Sequence, residues 1–117
     1  MDTSENPNPT VTTFGVRGYL DSHTSDAFEA RLFAAISGGA RNIILDLQEL
    51  DYISSAGLRV VLKANHFLKK VKGRILLCSM QDYVKEVFEL ARFDSFLTIV
   101  PTLEEALQAF KKPSCPE

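Results

Sequence analysis

Two spacings of apolar residues recur along the chain, and together they predict a regular alternation of strands and helices. Short runs rich in β-branched, aliphatic and aromatic residues predict four strands, at residues 11–20, 42–47, 74–80 and 96–100. After each strand, apolar residues three or four positions apart predict a helix. This order is typical of an α/β domain, so we expect a mixed, mostly parallel sheet of four or five strands covered by about four helices.

The second predicted helix begins at the segment SSAG, residues 54–57, and continues to about Val71. A turn through Glu49, Leu50 and Asp51 is predicted to separate this helix from the strand before it. The face expected to be buried holds Val60, Val61, Ala64, Phe67, Leu68 and Val71. The face expected to meet solvent holds Arg59, Lys63, His66 and Lys70, with Leu58 and Leu62 at the flank.

The two ends of the chain lack any apolar period. Residues 1–9 are polar with two prolines, and residues 112–117 contain two more prolines. We therefore expect a flexible tail at each end and a single domain over residues 10–111, a length typical of one compact domain.

Composition excludes several classes of protein. Of the 117 residues, 45% are hydrophobic and 24% are charged, and the formal net charge is −2. The chain is too apolar and too weakly charged for a disordered protein, and it lacks the basic charge of a nucleic-acid binder. No apolar run reaches the roughly 18–20 residues that span a bilayer, and residues 1–9 do not resemble a signal peptide. We expect a cytoplasmic protein without direct membrane insertion.

The residues that usually carry catalysis are scarce in this chain. The glycines do not form a phosphate-binding loop between a strand and a helix, and the segment G-x-S-x-G is missing. The histidines are His23 and His66, and the cysteines are Cys78, expected to be buried, and Cys115. Neither pair has the spacing of a metal site or a disulfide framework. We therefore predict a non-enzyme that needs neither a cofactor nor a metal.

One stretch of the second helix and the following strand carries six cations and no acid. Two interpretations stay open for it. Cations near the end of a helix offset its macrodipole, and a basic surface can also attract an acidic partner. The cations are Arg59, Lys63, Lys69, Lys70, Lys72 and Arg74.

Ser54 and Ser55 stand at the predicted start of the second helix, where two roles are open. A serine hydroxyl can accept a hydrogen bond from a backbone amide in the first turn, which is why serine is favoured there. A serine at this place can also carry a phosphate, because the amino end of a helix tolerates an anion. The added charge of about −1.5 to −2 would then disfavour a partner fitted to the unmodified surface.

The same region resembles the STAS family, named for sulphate transporters and anti-sigma factor antagonists. Asp46 and Leu47, followed by LDYISSAGL at residues 50–58, look like the signature of that family. The segment GYLDSHT at residues 18–24 is similar to its turn after the long strand, and EEAL at residues 104–107 is similar to its final helix. The resemblance extends from about residue 11 to residue 110.

The resemblance implies an anti-sigma factor antagonist that works by partner switching in transcription regulation. It implies that the unphosphorylated domain binds an anti-sigma factor, which is a serine kinase of the histidine-kinase-like ATPase fold, and so frees a sigma factor. Phosphorylation of Ser55 by that kinase would break the complex, and a serine phosphatase would restore it. The residues that it implies for partner binding are Asp21, His23, Thr24, Ser54, Ala56, Gly57 and Leu58.

Other readings of the sequence stay open beside this one. The chain could be a non-phosphorylated adaptor subunit of a lipid or anion transport complex, or a sensor of a small molecule or nucleotide. The family usually has an extra N-terminal strand, for which residues 1–9 leave little sequence. An exposed edge on the strand at residues 11–20 would offer a surface for a homodimer.

Overall fold

Four parallel strands form one sheet in the computed structural model, which describes residues 11–95 and 97–111. Their order across the sheet follows the chain: β1 (Val11–Leu20), β2 (Asn42–Ile53), β3 (Arg74–Cys78) and β4 (Thr98–Val100). The helices are α1 (Ser25–Ser37), α2 (Ser55–Lys70), α3 (Asp82–Leu90) and α4 (Leu103–Lys111). The predicted α/β domain is confirmed, and every strand pair in this part of the chain is parallel rather than mixed.

Helices cover the sheet on both faces, because parallel strands are normally buried from two sides. The larger core joins α1, α2 and α3 to one face, with Leu32, Leu68 and Phe88 fully buried in it. A smaller core on the other face joins α4 to the sheet through Ala106 and Cys78. Burial raises the pKa of the Cys78 thiol to about 11, so this cysteine is an inert core residue.

The predicted turn at residues 49–51 is wrong, because β2 continues without a break to Ile53. The pairing of β1 with β2 shifts register twice, between Gly15 and Arg17 and between Gly18 and Tyr19. Such shifts are typical of β-bulges, where extra residues disturb the alternation of side chains. Leu47 and Leu50 therefore both lie in the core although they are three residues apart, a spacing that does not look like a strand in the sequence.

Helix α2 has nearly the predicted bounds, but one residue of its predicted buried face is wrong. Phe67 is 44% exposed and packs edge-to-face against Phe33 of α1, with ring centroids 5.7 Å apart. Leu58, expected at the flank, belongs to the main core. The buried face of α2 thus includes Leu58 and leaves out Phe67, and Phe67 lies beside α1.

The six cations of the basic stretch do not form one continuous surface. Lys69 and Lys70 end α2, and Arg74 begins β3, where its guanidinium lies 5.2 Å from the centre of the Phe110 ring. Arg59 lies in the amino-terminal half of α2 instead, and Lys63 lies near its middle. The cations near the end of α2 therefore occupy the edge of the sheet at which the strands begin, where they offset the negative end of the helix dipole.

Gly73 joins α2 to β3 at this edge and has no room for a side chain. A Cβ atom there would lie 2.5 Å from the backbone oxygen of Arg41 and 2.8 Å from Cδ2 of Leu68. The Gly73 amide donates to the Leu68 carbonyl at 2.7 Å, and the Arg74 amide donates to the Arg41 carbonyl, also at 2.7 Å. The connection is thus held on both sides by backbone atoms.

Several predictions fall on residues outside the described ranges. These are the flexible tails at residues 1–9 and 112–117, a fifth strand at the N-terminus, and the predicted start of β4 at position 96. Within the described residues β1 is an edge strand, with β2 as its neighbour. The homodimer through this edge stays a prediction.

Candidate functional site

The parallel pairing of β1 and β2 brings two loops together at the edge where the strands end. Leu20 and Ile53 are register partners at the ends of these strands. One residue further on, the Ser54 amide donates a hydrogen bond to the Leu20 carbonyl at 2.9 Å. The turn after β1 and the start of α2 therefore lie side by side, which joins the two segments that the sequence analysis singled out.

The two serines at the start of α2 have different roles. Ser54 is the N-cap: its Oγ accepts from the Gly57 amide at 3.5 Å, and its carbonyl accepts from the Leu58 amide at 3.0 Å. Ser55 is the first residue of the helix and is exposed, and its hydroxyl has no hydrogen-bond partner within the described part of the chain. The capping role is thus filled by Ser54, and the Ser55 hydroxyl is available for chemistry.

The amino end of α2 lacks the acidic residue that the other helices carry. In α1, α3 and α4 the first turn contains at least one carboxylate, whereas the first turn of α2 contains none. The positive end of the α2 dipole is therefore not offset by an acid on the helix itself. A phosphate on Ser55 would meet free backbone amides and favourable charge there.

Hydrogen bonds within the turn after β1 fix its shape. Asp21 Oδ1 accepts from the amides of His23, at 2.9 Å, and Thr24, at 3.1 Å. Thr24 Oγ1 accepts from the Asp21 amide at 2.9 Å and donates to the Tyr19 carbonyl at 2.8 Å. The amides of His23 and Thr24 lower the pKa of Asp21, so this carboxylate stays ionised. Asp21 and Thr24 therefore hold the loop, and His23 is exposed beside them.

Gly57 allows α2 to rest directly on the ends of β1 and β2. A Cβ atom at Gly57 would lie 2.9 Å from Cγ1 of Ile53 and 2.9 Å from Cγ of Leu20. Gly57 is buried, and Leu58 is only 7% exposed. The resemblance implies that both residues bind a partner, but here they lie inside the domain and position the exposed residues. Ala56 between Ser55 and Gly57 is half-buried.

Two tyrosines that the sequence analysis did not single out lie next to the site. Tyr19 and Tyr52 are register partners, and their ring centroids are 5.9 Å apart. They are 62% and 36% exposed, an unusual position for aromatic side chains and one that favours contact with another protein. Their pairing depends on the register of β1 against β2, which the sequence does not reveal, although both lie within the segments at residues 18–24 and 50–58 that resemble the family.

A cleft of about 230 Å³ separates α1 from α2 beside the site. Ser22 and Ala56 lie at its lining together with Arg59, and Lys63 of α2 bonds Glu29 of α1 with 2.5 Å between Nζ and Oε2. Arg59 forms no ion pair among the described residues. Of the two cations that line the cleft, Lys63 is thus paired with a carboxylate and Arg59 is not paired with any described residue.

Ser25 also lines this cleft and supplies a stability prediction. It is 3% exposed, and its Oγ has no hydrogen-bond partner among residues 11–95 and 97–111. A buried hydroxyl without a partner costs free energy, so Ser25→Ala should raise the free energy of unfolding by about 0.5–1.5 kcal/mol. Chemical denaturation measures the change, with the exposed Ser22→Ala as the matched control that should stay within about 0.5 kcal/mol. A loss of stability in Ser25→Ala would show that the hydroxyl is bonded in solution.

The described residues show no sign of a metal centre or a membrane-spanning helix. Within residues 11–95 and 97–111, no three His, Cys, Asp or Glu side chains converge on a point that could hold an ion. No helix in the same ranges is both long and apolar enough to cross a bilayer.

Comparison with known proteins finds relatives in sequence and in fold. BtrV of Bordetella bronchiseptica, a candidate anti-sigma factor antagonist, is 43% identical over 96 residues, which cover 82% of this chain and 83% of BtrV. A candidate antagonist from Thermotoga maritima, solved as a crystal structure, has a TM-score of 0.86 at 22% identity and covers 90% of this chain and 91% of its own.

A third relative has been solved in two chemical states. The anti-sigma factor antagonist SpoIIAA in its unphosphorylated form has a TM-score of 0.72 at 26% identity, over 92% of this chain and 94% of its own. SpoIIAA of Bacillus in its phosphorylated form has a TM-score of 0.70 at 26% identity, over 91% and 96%. The family model for the STAS domain matches residues 2–106. The chain therefore belongs to the STAS domain family.

Proposed function

We propose that this protein is an anti-sigma factor antagonist whose partner binding is switched by phosphorylation of Ser55. The observation that carries the proposal is that the Ser55 side chain is exposed and makes no hydrogen bond to the described part of the chain, while Ser54 caps the helix. A serine whose hydroxyl caps a helix would lose that hydrogen bond when it is phosphorylated. The Ser55 hydroxyl does not cap the helix, so its phosphorylation changes the surface and leaves the fold intact.

In the unphosphorylated state, the surface offered to a partner combines polar and aromatic groups. Ser55 and His23 are exposed, Ser54 and Ala56 are half-buried, and Tyr19 is the most exposed aromatic residue of the group. The hydrogen bonds of Asp21 and Thr24 hold this surface in one shape, which reduces the entropy lost on binding. The partner in our proposal is an anti-sigma factor, which the antagonist names of the relatives support. We further propose that this anti-sigma factor is itself a serine kinase.

Phosphorylation changes the charge of this surface without requiring a new conformation. A phosphoserine adds about −1.5 to −2 charges at neutral pH, next to the ionised Asp21 on the neighbouring loop. The free protein accommodates the charge at the helix start in contact with water, whereas a fitted interface would have to desolvate it. SpoIIAA in its phosphorylated and unphosphorylated forms matches this fold about equally well, which supports a switch that leaves the backbone in place.

The chain acts as a substrate rather than a catalyst in this scheme. The kinase binds ATP, and Ser55 Oγ attacks the γ-phosphorus. The bond from that phosphorus to the bridging oxygen breaks, ADP leaves, and the hydroxyl proton passes to a base of the kinase. A serine phosphatase hydrolyses the phosphoester and returns the Ser55 hydroxyl. Neither step requires a catalytic group from this protein.

Intact mass spectrometry tests the assignment of Ser55. After incubation with the cognate anti-sigma factor and Mg-ATP, the wild-type protein and Ser54→Ala should each gain one phosphate. Ser55→Ala should gain none, because the acceptor oxygen is missing. Phosphate on Ser55→Ala, or none on the wild type, would contradict the proposal and favour the adaptor or sensor interpretation.

A further inference from the structure

Arg59 stands one helical turn after Ser55 on the same side of α2. Residues four apart on a helix have Cβ atoms about 5–6 Å apart, which lets their side chains meet. Both residues are exposed, and Ala56 and Arg59 line the cleft between α1 and α2. A long guanidinium side chain can reach an anion on the first residue of its own helix.

Arg59 is also free to make such a contact. Lys63, the next cation on this side of α2, is held by Glu29 of α1. Asp26 and Glu29 of α1 line the same cleft as Arg59, yet neither forms an ion pair with it. Asp21 on the neighbouring turn is occupied by the amides of His23 and Thr24. Arg59 is therefore a cation near the helix start that no carboxylate engages.

This placement is unfavourable until an anion is present. A cation near the amino end of a helix opposes the macrodipole, and α2 has no acid in its first turn to compensate. A phosphate on Ser55 would remove both defects, since it places negative charge at the helix start and gives Arg59 a partner. Guanidinium and phosphate groups match in geometry and form two parallel hydrogen bonds.

We infer that Arg59 is the positioning residue that holds the phosphate of phosphorylated Ser55 against the first turn of α2. This inference rests on the proposed function, because it requires Ser55 to be phosphorylated. In the unmodified protein Arg59 is an exposed cation that forms no ion pair with any described residue. In the modified protein it binds the phosphate, fixes its direction and favours its doubly charged form.

A ³¹P NMR titration of protein with phosphoserine incorporated at position 55 during synthesis tests the inference. Because no kinase is needed, the outcome is independent of whether an anti-sigma factor phosphorylates this chain. Replacing Arg59 by Gln should raise the second pKa of the phosphoserine by about 0.3–0.6, since the dianion loses a cationic neighbour. Arg59→Lys should restore part of the difference, because it keeps the charge without the two-pronged geometry.

Lys63→Gln is the matched control. Lys63 lies eight residues after Ser55, about 12 Å along the helix axis, and is engaged by Glu29. Its replacement should move the phosphoserine pKa by less than about 0.1 at physiological ionic strength. Equal pKa values in Arg59→Gln and wild type would overturn the inference, and so would equal shifts in the Arg59 and Lys63 variants. If the kinase fails to modify Ser55 while Arg59→Gln shows the shift, the proposed function fails and the positioning role stands.

Discussion

Ser55→Asp is expected to lose affinity for the anti-sigma factor by about a hundredfold to a thousandfold, while Ser55→Ala binds like the unmodified protein. The reason is that a fitted interface has to desolvate the added charge, which costs about 3–5 kcal/mol when the partner surface supplies no compensating group. Alanine removes one hydroxyl from a position that makes no internal hydrogen bond, so it leaves the fold unchanged. Isothermal titration calorimetry with the cognate anti-sigma factor measures both affinities.

Ser54 supplies the control for this comparison. Ser54→Asp places the same charge one residue earlier, at the N-cap, where aspartate replaces serine as an acceptor for the Gly57 amide. It should weaken binding much less than Ser55→Asp, since Ser54 is half-buried and turned toward the helix. Equal affinities for Ser55→Asp and Ser55→Ala would contradict a switch at Ser55.

Gly73→Ala is expected to lower the free energy of unfolding by about 3 kcal/mol. The new Cβ would lie 2.5 Å from the Arg41 carbonyl oxygen, and backbone atoms cannot move aside as a side chain can. Relief of the clash would break the hydrogen bonds that join Gly73 to Leu68 and Arg74 to Arg41. Urea denaturation measures the change, with the slope m compared between variants to confirm that the unfolded state is unaffected.

Gly15→Ala is the matched control for steric crowding. Gly15 lies in β1, and nothing stands within 4 Å of the place where its Cβ would be. Its replacement should therefore change stability by less than about 1 kcal/mol. Gly73 lies at the opposite edge of the sheet from Ser55, so Gly73→Ala should still bind the anti-sigma factor at temperatures where it is folded. A similar small effect at both glycines would contradict the packing described for Gly73.

Much of the fold could be predicted because its signals are local. The start of α2 follows from a serine before an apolar helical period, and each crossover contains an independent pattern of this kind. The end of β2 could not be predicted in the same way. Leu47 and Leu50 break the alternation that identifies a strand, and the bulged pairing with β1 that turns both inward is a property of two strands together.

The candidate site also combines residues that the sequence indicates with contacts that only the folded structure reveals. Ser55 came from the resemblance to a family, since the sequence alone left capping and phosphorylation open for either serine. The structure assigns the capping role to Ser54, and phosphorylation of Ser55 stays our proposal. Tyr19 contacts Tyr52 because β1 pairs with β2, and the surroundings of Arg59 depend on the packing of α1 against α2. No local sequence pattern predicts either of these tertiary contacts.

Cations at one edge of the sheet and carboxylates at the other give the molecule an uneven distribution of charge. Lys69, Lys70 and Arg74 stand where the strands begin, and the first-turn carboxylates of three helices stand where the strands end. A phosphate on Ser55 adds negative charge at the edge where the strands end and so increases the separation of charge between the two edges of the sheet. A charged protein within about 8 Å, the screening distance at physiological salt, then exerts a torque that turns the molecule before the surfaces touch.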